Sequence, residues 1–328
     1  MEYNPSYYMD LDVYFAPEDE FYKGRTDHLT DTTYFRWHQI IKLVDLSHQL
    51  PEPAHYRGIA IIGYASDIGV ERNQGRAGAS LGPNAIRAHA GSFPVHHDDN
   101  FEIIDVGNIF SKNGNMEASQ QMLAHTVEWL LGRNWLPVVL GGGHELSYGS
   151  HSGLVKHYSG QIAGIVNFDA HFDLRAPDPL PTSGTPFFQI LEEYSSKYMV
   201  IGIQHQANTQ HLFQHAEVKQ INYFTVDDVL YGDGDSIHSE MDKYIEEADV
   251  VHLSIDIDVF SSSIAPGVSA PSPYGFNLPD IWPYMHDILL SNKLALVDLV
   301  EFNPRYDQGG HTSRLVAGLL FRVVQCYF

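Results

Sequence analysis

The chain has 328 residues, 44% of them hydrophobic, and its 41 acidic against 19 basic side chains give a formal net charge of −22. That balance offers no basic patch for nucleic acid or an anionic membrane, and no apolar run reaches membrane-spanning length. A single cysteine, Cys326, rules out an intrachain disulfide framework, and the opening residues MEYNPSYYMDLDVYF carry no basic-then-apolar signal, so a reducing, cytoplasmic setting is expected.

Residues 1–56 are polar, aromatic-rich and irregular, and read as an N-terminal extension packed on a main domain spanning residues 57–328. From Gly58 onward strand-like and helix-like segments alternate. The strand at Ile59–Tyr64 is followed by a helix at Pro83–Ala90. The strand at Glu102–Val106 precedes a helix at Met116–Arg133, in which Met122, Leu123, Val127, Leu130 and Leu131 keep near-helical spacing. Next come strand Pro137–Leu140, helix Leu146–Tyr158, strand Ile162–Phe168 and helix Phe187–Ser196. Strands Tyr198–Ile203 and Lys219–Phe224, helix Ser236–Glu247 and strand Val250–Asp256 follow. Helix Leu278–Ser291, strand Leu294–Val300 and helix Thr312–Tyr327 close the chain. Gly82-Pro83 and Leu278-Pro279 resemble helix starts, where the missing proline N–H costs nothing. Strands alternating with helices imply a mainly parallel sheet covered on both faces. No Gly/Ser- or Pro-rich linker divides the chain, so one domain is expected. Ligands of such sheets bind beyond the carboxyl ends of the strands.

Polar residues do follow those ends. Gly141-Gly142-Gly143-His144 follows one strand, and Asp169, His171 and Asp173 follow another. Asp256 and Asp258 close a third, Glu301 and Asn303 a fourth, and the first strand runs into Asp67 and a loop through Arg76. Residues two apart in a strand share a face, so 169, 171 and 173 should converge, as should 256 and 258. A lone D-x-H-x-D could be a solvated turn, a lone Asp pair a cap, a lone histidine structural. Together they make a metal site the simplest account, because buried charges need partners. Carboxylate and imidazole without thiolate suit Mn²⁺ and could accept Fe²⁺, Co²⁺ or Zn²⁺. Four aspartates balance two divalent ions, which held about 3.5–4 Å apart would lower the pKa of a shared water and create a hydrolytic nucleophile. The triple glycine lacks the last glycine of G-x-G-x-x-G and the Lys-Ser/Thr of a P-loop. There is no G-x-S-x-G elbow either, and Cys326 lies in the last helix.

These motifs resemble the ureohydrolase family of arginases, agmatinases and formimidoylglutamases: GGGHE at 141–145, NFDAHFDLR at 167–175, SIDIDVF at 254–260 and VEFNPRYD at 300–307. The resemblance implies a three-layer α/β/α sandwich with an eight-stranded, mainly parallel sheet. It also implies two Mn²⁺ ions per subunit and a homo-oligomer acting on a small molecule. Asp169 and Asp256 would bridge the ions; His144 and Asp173 would complete one shell, and His171 and Asp258 the other. Glu301 would pair with a guanidinium or amidinium group. The segments at 63–87, 182–190, 201–209 and 265–271 look like the formimidoylglutamase branch, which hydrolyses N-formimidoyl-L-glutamate to L-glutamate and formamide in histidine degradation. Arginases carry a proton-shuttle histidine where Phe187 stands here, which leaves Asp173 as the proton carrier. The two substrate carboxylates call for local cations: Arg72, Arg76, Arg175 and Arg305 are the candidates, with Asn73, Gln204 and Asn208 as weaker ones. Competing readings are a guanidino-acid hydrolase, an agmatinase, and a non-catalytic scaffold of the same fold.

Overall fold

The computed structural model describes residues 11–55, 57–97 and 101–328; the first ten residues of the expected N-terminal extension lie outside that range. Its elements are, in order, β1 (Tyr14–Phe15), β2 (Lys42–Leu43), β3 (Arg57–Ala65), α1 (Ile68–Arg72), α2 (Gly82–Ala90), β4 (Phe101–Phe110) and α3 (Met116–Leu131). β5 (Leu136–Leu140), α4 (Leu146–His157), β6 (Ala163–Phe168), α5 (Pro186–Glu193), β7 (Lys197–Ile203), α6 (Gln210–Val218) and β8 (Asn222–Thr225) form the middle. α7 (Val226–Tyr231), α8 (Gly234–Glu247), β9 (Val250–Asp256), α9 (Leu278–Leu289), β10 (Leu294–Val300) and α10 (His311–Tyr327) complete the chain.

Strands β4-β3-β5-β10-β9-β6-β7-β8 lie side by side, all parallel. The eight expected strands are these eight. Two short additions make the sheet ten-stranded: β1 pairs antiparallel and β2 parallel with the outer edge of β4. An exposed edge invites pairing with other chains, and these segments cover it. Both faces are apolar. Ile59 and Ile61 of β3 and Val166 of β6 join one core with α2, α8, α9 and α10. Ala60 and Ile62 join a second core with α3 and α4, and Ile165 joins a third with α5 and α6. The alternation explains why the strands read as continuous apolar runs: each is buried on both sides. No helix among the described residues is long and apolar enough to cross a membrane.

The expected strand from Lys219 starts late, at Asn222, because Gln220 turns the chain out of α6 with a φ of 55°. Three helices go beyond the sequence reading. α1 is only five residues long and α6 buries just Leu212 and Ala216, so neither carries a strong apolar stripe. α7 had a readable start, because Thr225 and Asp228 form a capping box.

Residues before 57 contribute Tyr22 and Trp37 to one core and Val13, Tyr14, Val44, Leu46 and Ala54 to another. A buried ion pair anchors them. Arg87 Nε donates to Asp105 Oδ2 at 2.6 Å and Nη2 to Asp105 Oδ1 at 3.0 Å, and the Tyr22 hydroxyl donates to the same carboxylate. Both charged side chains are fully buried. The Arg87→Leu substitution would strand the Asp105 charge and should cost about 3–5 kcal/mol. A urea midpoint within error of the wild type would refute that.

Candidate metal centre

Four neighbouring strands, β5, β10, β9 and β6, end at one place. The chain leaves them at His144, Glu301, Asp256 and Asp169 respectively, so four segments distant in sequence meet at the carboxyl edge of the sheet centre. Glycines make the approach possible: a Cβ on Gly142 would lie 2.1 Å from Ser66 O, and one on Gly143 would lie 2.0 Å from Glu145 Oε2. Gly143 therefore stands beside a carboxylate that a larger residue would displace.

The ligand atoms fall into two groups, His144, Asp169, Asp173 and Asp256 in one, and Asp169, His171 and Asp258 in the other. His144 Nδ1 lies 3.2 Å from Asp169 Oδ2 and 3.1 Å from both Asp173 Oδ2 and Asp256 Oδ2. His171 Nδ1 lies 3.1 Å from Asp258 Oδ2 and 3.5 Å from Asp169 Oδ1. All six residues expected to hold metal are thus brought together, with Asp169 common to both groups. Two details differ from simple strand alternation. His171 and Asp173 diverge into different groups, because the segment after Phe168 is a loop in which Asp173 takes a φ of 50°. Asp256 and Asp258 also part, because a 3-10 turn at Ile257–Val259 begins where β9 stops.

These residues fit cations. His144 Nδ1 and Asp258 Oδ1 are buried and make no hydrogen bond, although carboxylate oxygens crowd the ring nitrogen. Anionic oxygens packed around an imidazole nitrogen are the donor set that a divalent cation takes. Electrostatics agree. Burial drives the Asp256 and Asp173 carboxyls up, reinforced by Asp258 and Asp169 for the first and by Asp169 for the second. Burial would push Asp169 up too, but the imidazoles of His144 and His171 beside it hold it well below its ordinary value. Burial opposes charging both histidines, yet the surrounding aspartates raise each well above the usual imidazole range. A cation among these groups would relieve the same repulsion.

Supporting groups surround the ligands. His144 Nε2 is 3.0 Å from Ser254 Oγ, which leaves Nδ1 free to coordinate, and Asn167 Nδ2 donates to Asp169 Oδ2 at 3.0 Å. Both partners stand two residues before a ligand in a strand, a same-face signal that the sequence contained. The buried Asp298 carboxylate accepts from Ser147, Ser150 and His252 at 2.8 Å each, tying α4, which starts just after His144, to the sheet. Phe187 is fully buried, stacks on Tyr198 and meets the His144 ring edge-on at 5.1 Å. It puts hydrocarbon against the centre where a shuttle histidine was looked for.

Glu301 accepts the His144 N–H at 2.9 Å and holds a φ of 65°. Like Asp173, it is a non-glycine residue in the left-handed region, where strain is tolerated only under firm support. Burial, then the charges of Glu145 and Asp258, raises its carboxyl well above normal. Glu145, not singled out in the sequence, accepts from Gly69 N–H at 2.9 Å and is pushed by burial to about 7.

The residues expected at substrate are less gathered. Arg72 is spent on Glu117, at 2.7 and 3.3 Å. Arg76 donates to the carbonyls of Val268 and Ser269 and lies 3.9 Å over the Tyr306 ring. Arg305 is exposed beside Gly78. Gln204 bonds Ser272 and Gln206, and Asn208 bonds main-chain groups. Only Asn73 and Arg175 meet: Arg175 Nη2 donates to Asn73 Oδ1 at 2.6 Å, and Asn73 Nδ2 donates to Ser183 Oγ at 3.1 Å.

Known proteins share the fold and much of the sequence. The arginase family matches residues 57–326. A formimidoylglutamase of Clostridium tetani is 36% identical over 96% of both chains, and one of Geobacillus kaustophilus is 40% identical over 93% of this chain and 95% of its own. The formimidoylglutamase structure from Bacillus subtilis superposes with a TM-score of 0.80 at 24% identity, covering 94% of this chain and 96% of that one. A variant of Trypanosoma cruzi formiminoglutamase, solved with Mn²⁺, gives a TM-score of 0.75 at 25% identity, over 82% and 92%. The α/β fold, the strand-end carboxylates and these likenesses agree: the chain belongs to the arginase family.

Proposed function

We propose that this protein is a formimidoylglutamase, a hydrolase that cleaves a C–N bond of a linear amidine: N-formimidoyl-L-glutamate and water give L-glutamate and formamide. The observation that carries the reading is the pair of ligand groups joined through Asp169, in a chain 36–40% identical to formimidoylglutamases over most of its length.

In this reading His144, Asp169, His171, Asp173, Asp256 and Asp258 would hold two Mn²⁺ ions, with His144 and Asp173 in one ligand group and His171 and Asp258 in the other. When bound, such ions supply a water of lowered pKa and a Lewis acid for the substrate. The chain's own groups do the rest. Glu301 accepts the N–H bonds of the amidinium, whose positive charge relieves the repulsion from Glu145 and Asp258. Asp173 delivers a proton to the departing glutamate nitrogen. Phe187 keeps bulk water from the His144 side. Arg175, held by Asn73, would supply the cation for a substrate carboxylate; Arg72 is committed to Glu117. The Arg175→Ala substitution should therefore raise KM by about 10–100-fold, as losing a charged hydrogen bond does, with kcat changed far less. An unchanged KM would remove Arg175 from the pocket.

The reading also carries a single domain at 57–328 with residues 1–56 packed upon it, a homo-oligomer, and a cytoplasmic location. The decisive assay offers the Mn²⁺-loaded protein formimidoylglutamate, arginine, agmatine and guanidinobutyrate. Formamide from the first without urea from the rest is expected; urea from any other at a higher rate would overturn the substrate.

A further inference from the structure

The loop from Asp169 to Asp173 serves both ligand groups, yet no regular element contains it: β6 ends at Phe168 and α5 begins at Pro186. A loop that must aim three ligands takes its rigidity from its neighbours. At first β7 provides it. Asp169 N–H donates to Ile201 O, and Gln204 N–H donates to Ala170 O, both at 3.1 Å. Beyond that point a side chain takes over. Asn208 Oδ1 accepts the Phe172 N–H at 3.0 Å, while Nδ2 donates to Ala170 O at 2.8 Å and to Gln204 O at 2.9 Å. The Tyr198 hydroxyl adds a bond to Phe172 O at 3.1 Å. Asn208 is buried, and both its N–H bonds and its carbonyl are engaged by main-chain groups.

The consequence is geometric. Phe172 is pinned at its N–H and its carbonyl, and its ring is fully buried against Phe213 and Tyr223 at 5.1 and 5.3 Å. With Phe172 fixed inward, His171 and Asp173 flank it and reach different groups. Asp173 is held in a backbone conformation that an L-residue seldom adopts unaided.

We propose that Asn208 is a positioning residue: a clamp that replaces a missing strand neighbour and locks the loop so that His171 and Asp173 reach different metal ions. The proposal rests on the two-metal reading above. The side chain must accept one bond and donate two, which a carboxylate or an isosteric alkyl group cannot do.

The test titrates Mn²⁺ into metal-free wild type, Asn208→Leu and Tyr198→Phe by calorimetry, alongside kcat, KM and melting temperature. The clamp predicts Mn²⁺ affinity lowered by about 10–100-fold in Asn208→Leu, a parallel fall in kcat, and an unchanged KM. Tyr198→Phe, which loses the hydroxyl bonds to Phe172 O and from Asn167, should shift affinity in the same direction by less; if Asn208→Leu does not fold, Asn208→Asp, which keeps the acceptor and loses both donors, decides the matter. Wild-type Mn²⁺ affinity in the variants with only a lower melting temperature would make Asn208 merely structural and overturn the clamp. A raised KM with normal metal binding would make it a substrate ligand and also overturn it. Wild-type protein that binds no Mn²⁺ would bring down the two-metal reading and the clamp together.

Discussion

The Asp173→Asn substitution is expected to lower kcat by about 10²–10⁴-fold, the usual contribution of a positioned general acid or base, while most of the metal stays bound. An amide keeps an oxygen for coordination but cannot pass on a proton. Position and surroundings single out this carboxylate. Among the four aspartates its side chain is the most open, 12% exposed against 0%, 3% and 5% for Asp169, Asp256 and Asp258. It is the one of the four that a molecule arriving from solvent reaches most readily. No imidazole competes from the α5 side, because the ring that meets His144 there belongs to Phe187. The left-handed backbone at Asp173 is a further sign that its carboxylate direction is imposed from outside. Metal content measured beside single-turnover rates separates the outcomes. Near-normal turnover with metal retained would end the proton-carrier role, and loss of metal with turnover would reduce Asp173 to a ligand.

The sheet and the gathering of six His and Asp side chains at its edge were legible in the sequence for one reason. Buried parallel strands are written as apolar runs, and a ligand set at their carboxyl ends breaks those runs with Asp and His. His144, Asp169, Asp256 and Glu301 each interrupt such a run. The division into two groups came from the family resemblance and not from period-two alternation, since it depends on loop geometry at Asp173 and on the turn at Ile257–Val259. The arginines were misleading for a different reason. In an acidic chain most cations find carboxylates or carbonyls close by, as Arg72 finds Glu117 and Arg76 finds Ser269, and residue type alone does not say which. Asn208 was noticed for its polarity, but a clamp and a substrate ligand look identical until the partners of the amide are known.

Metal-free protein should lose stability as pH rises above about 6.5, and Mn²⁺-loaded protein should not. In the folded state His144 and His171 titrate well above the ordinary imidazole value, through the aspartates around them. The folded chain therefore binds more protons than the unfolded one. Stability then falls with rising pH. The contribution is complete below the unfolded imidazole value and disappears as pH passes the raised folded one. Asp173, Asp256 and Glu301, also raised, act with the same sign from a lower starting pH. Asp169 and the buried His151, both lowered, act with the opposite sign, but their windows lie below the ordinary carboxylate and imidazole values and so outside this range. Mn²⁺ must displace the same protons, so its affinity rises with pH, and at a free concentration of about 100 times Kd it adds about 2.7 kcal/mol. The gap in melting temperature between loaded and chelator-treated protein should accordingly widen from pH 6.5 to 8.5. A gap that stays constant across that range would mean that protons do not occupy the centre when the metals leave, and the electrostatic account of the site would have to be abandoned.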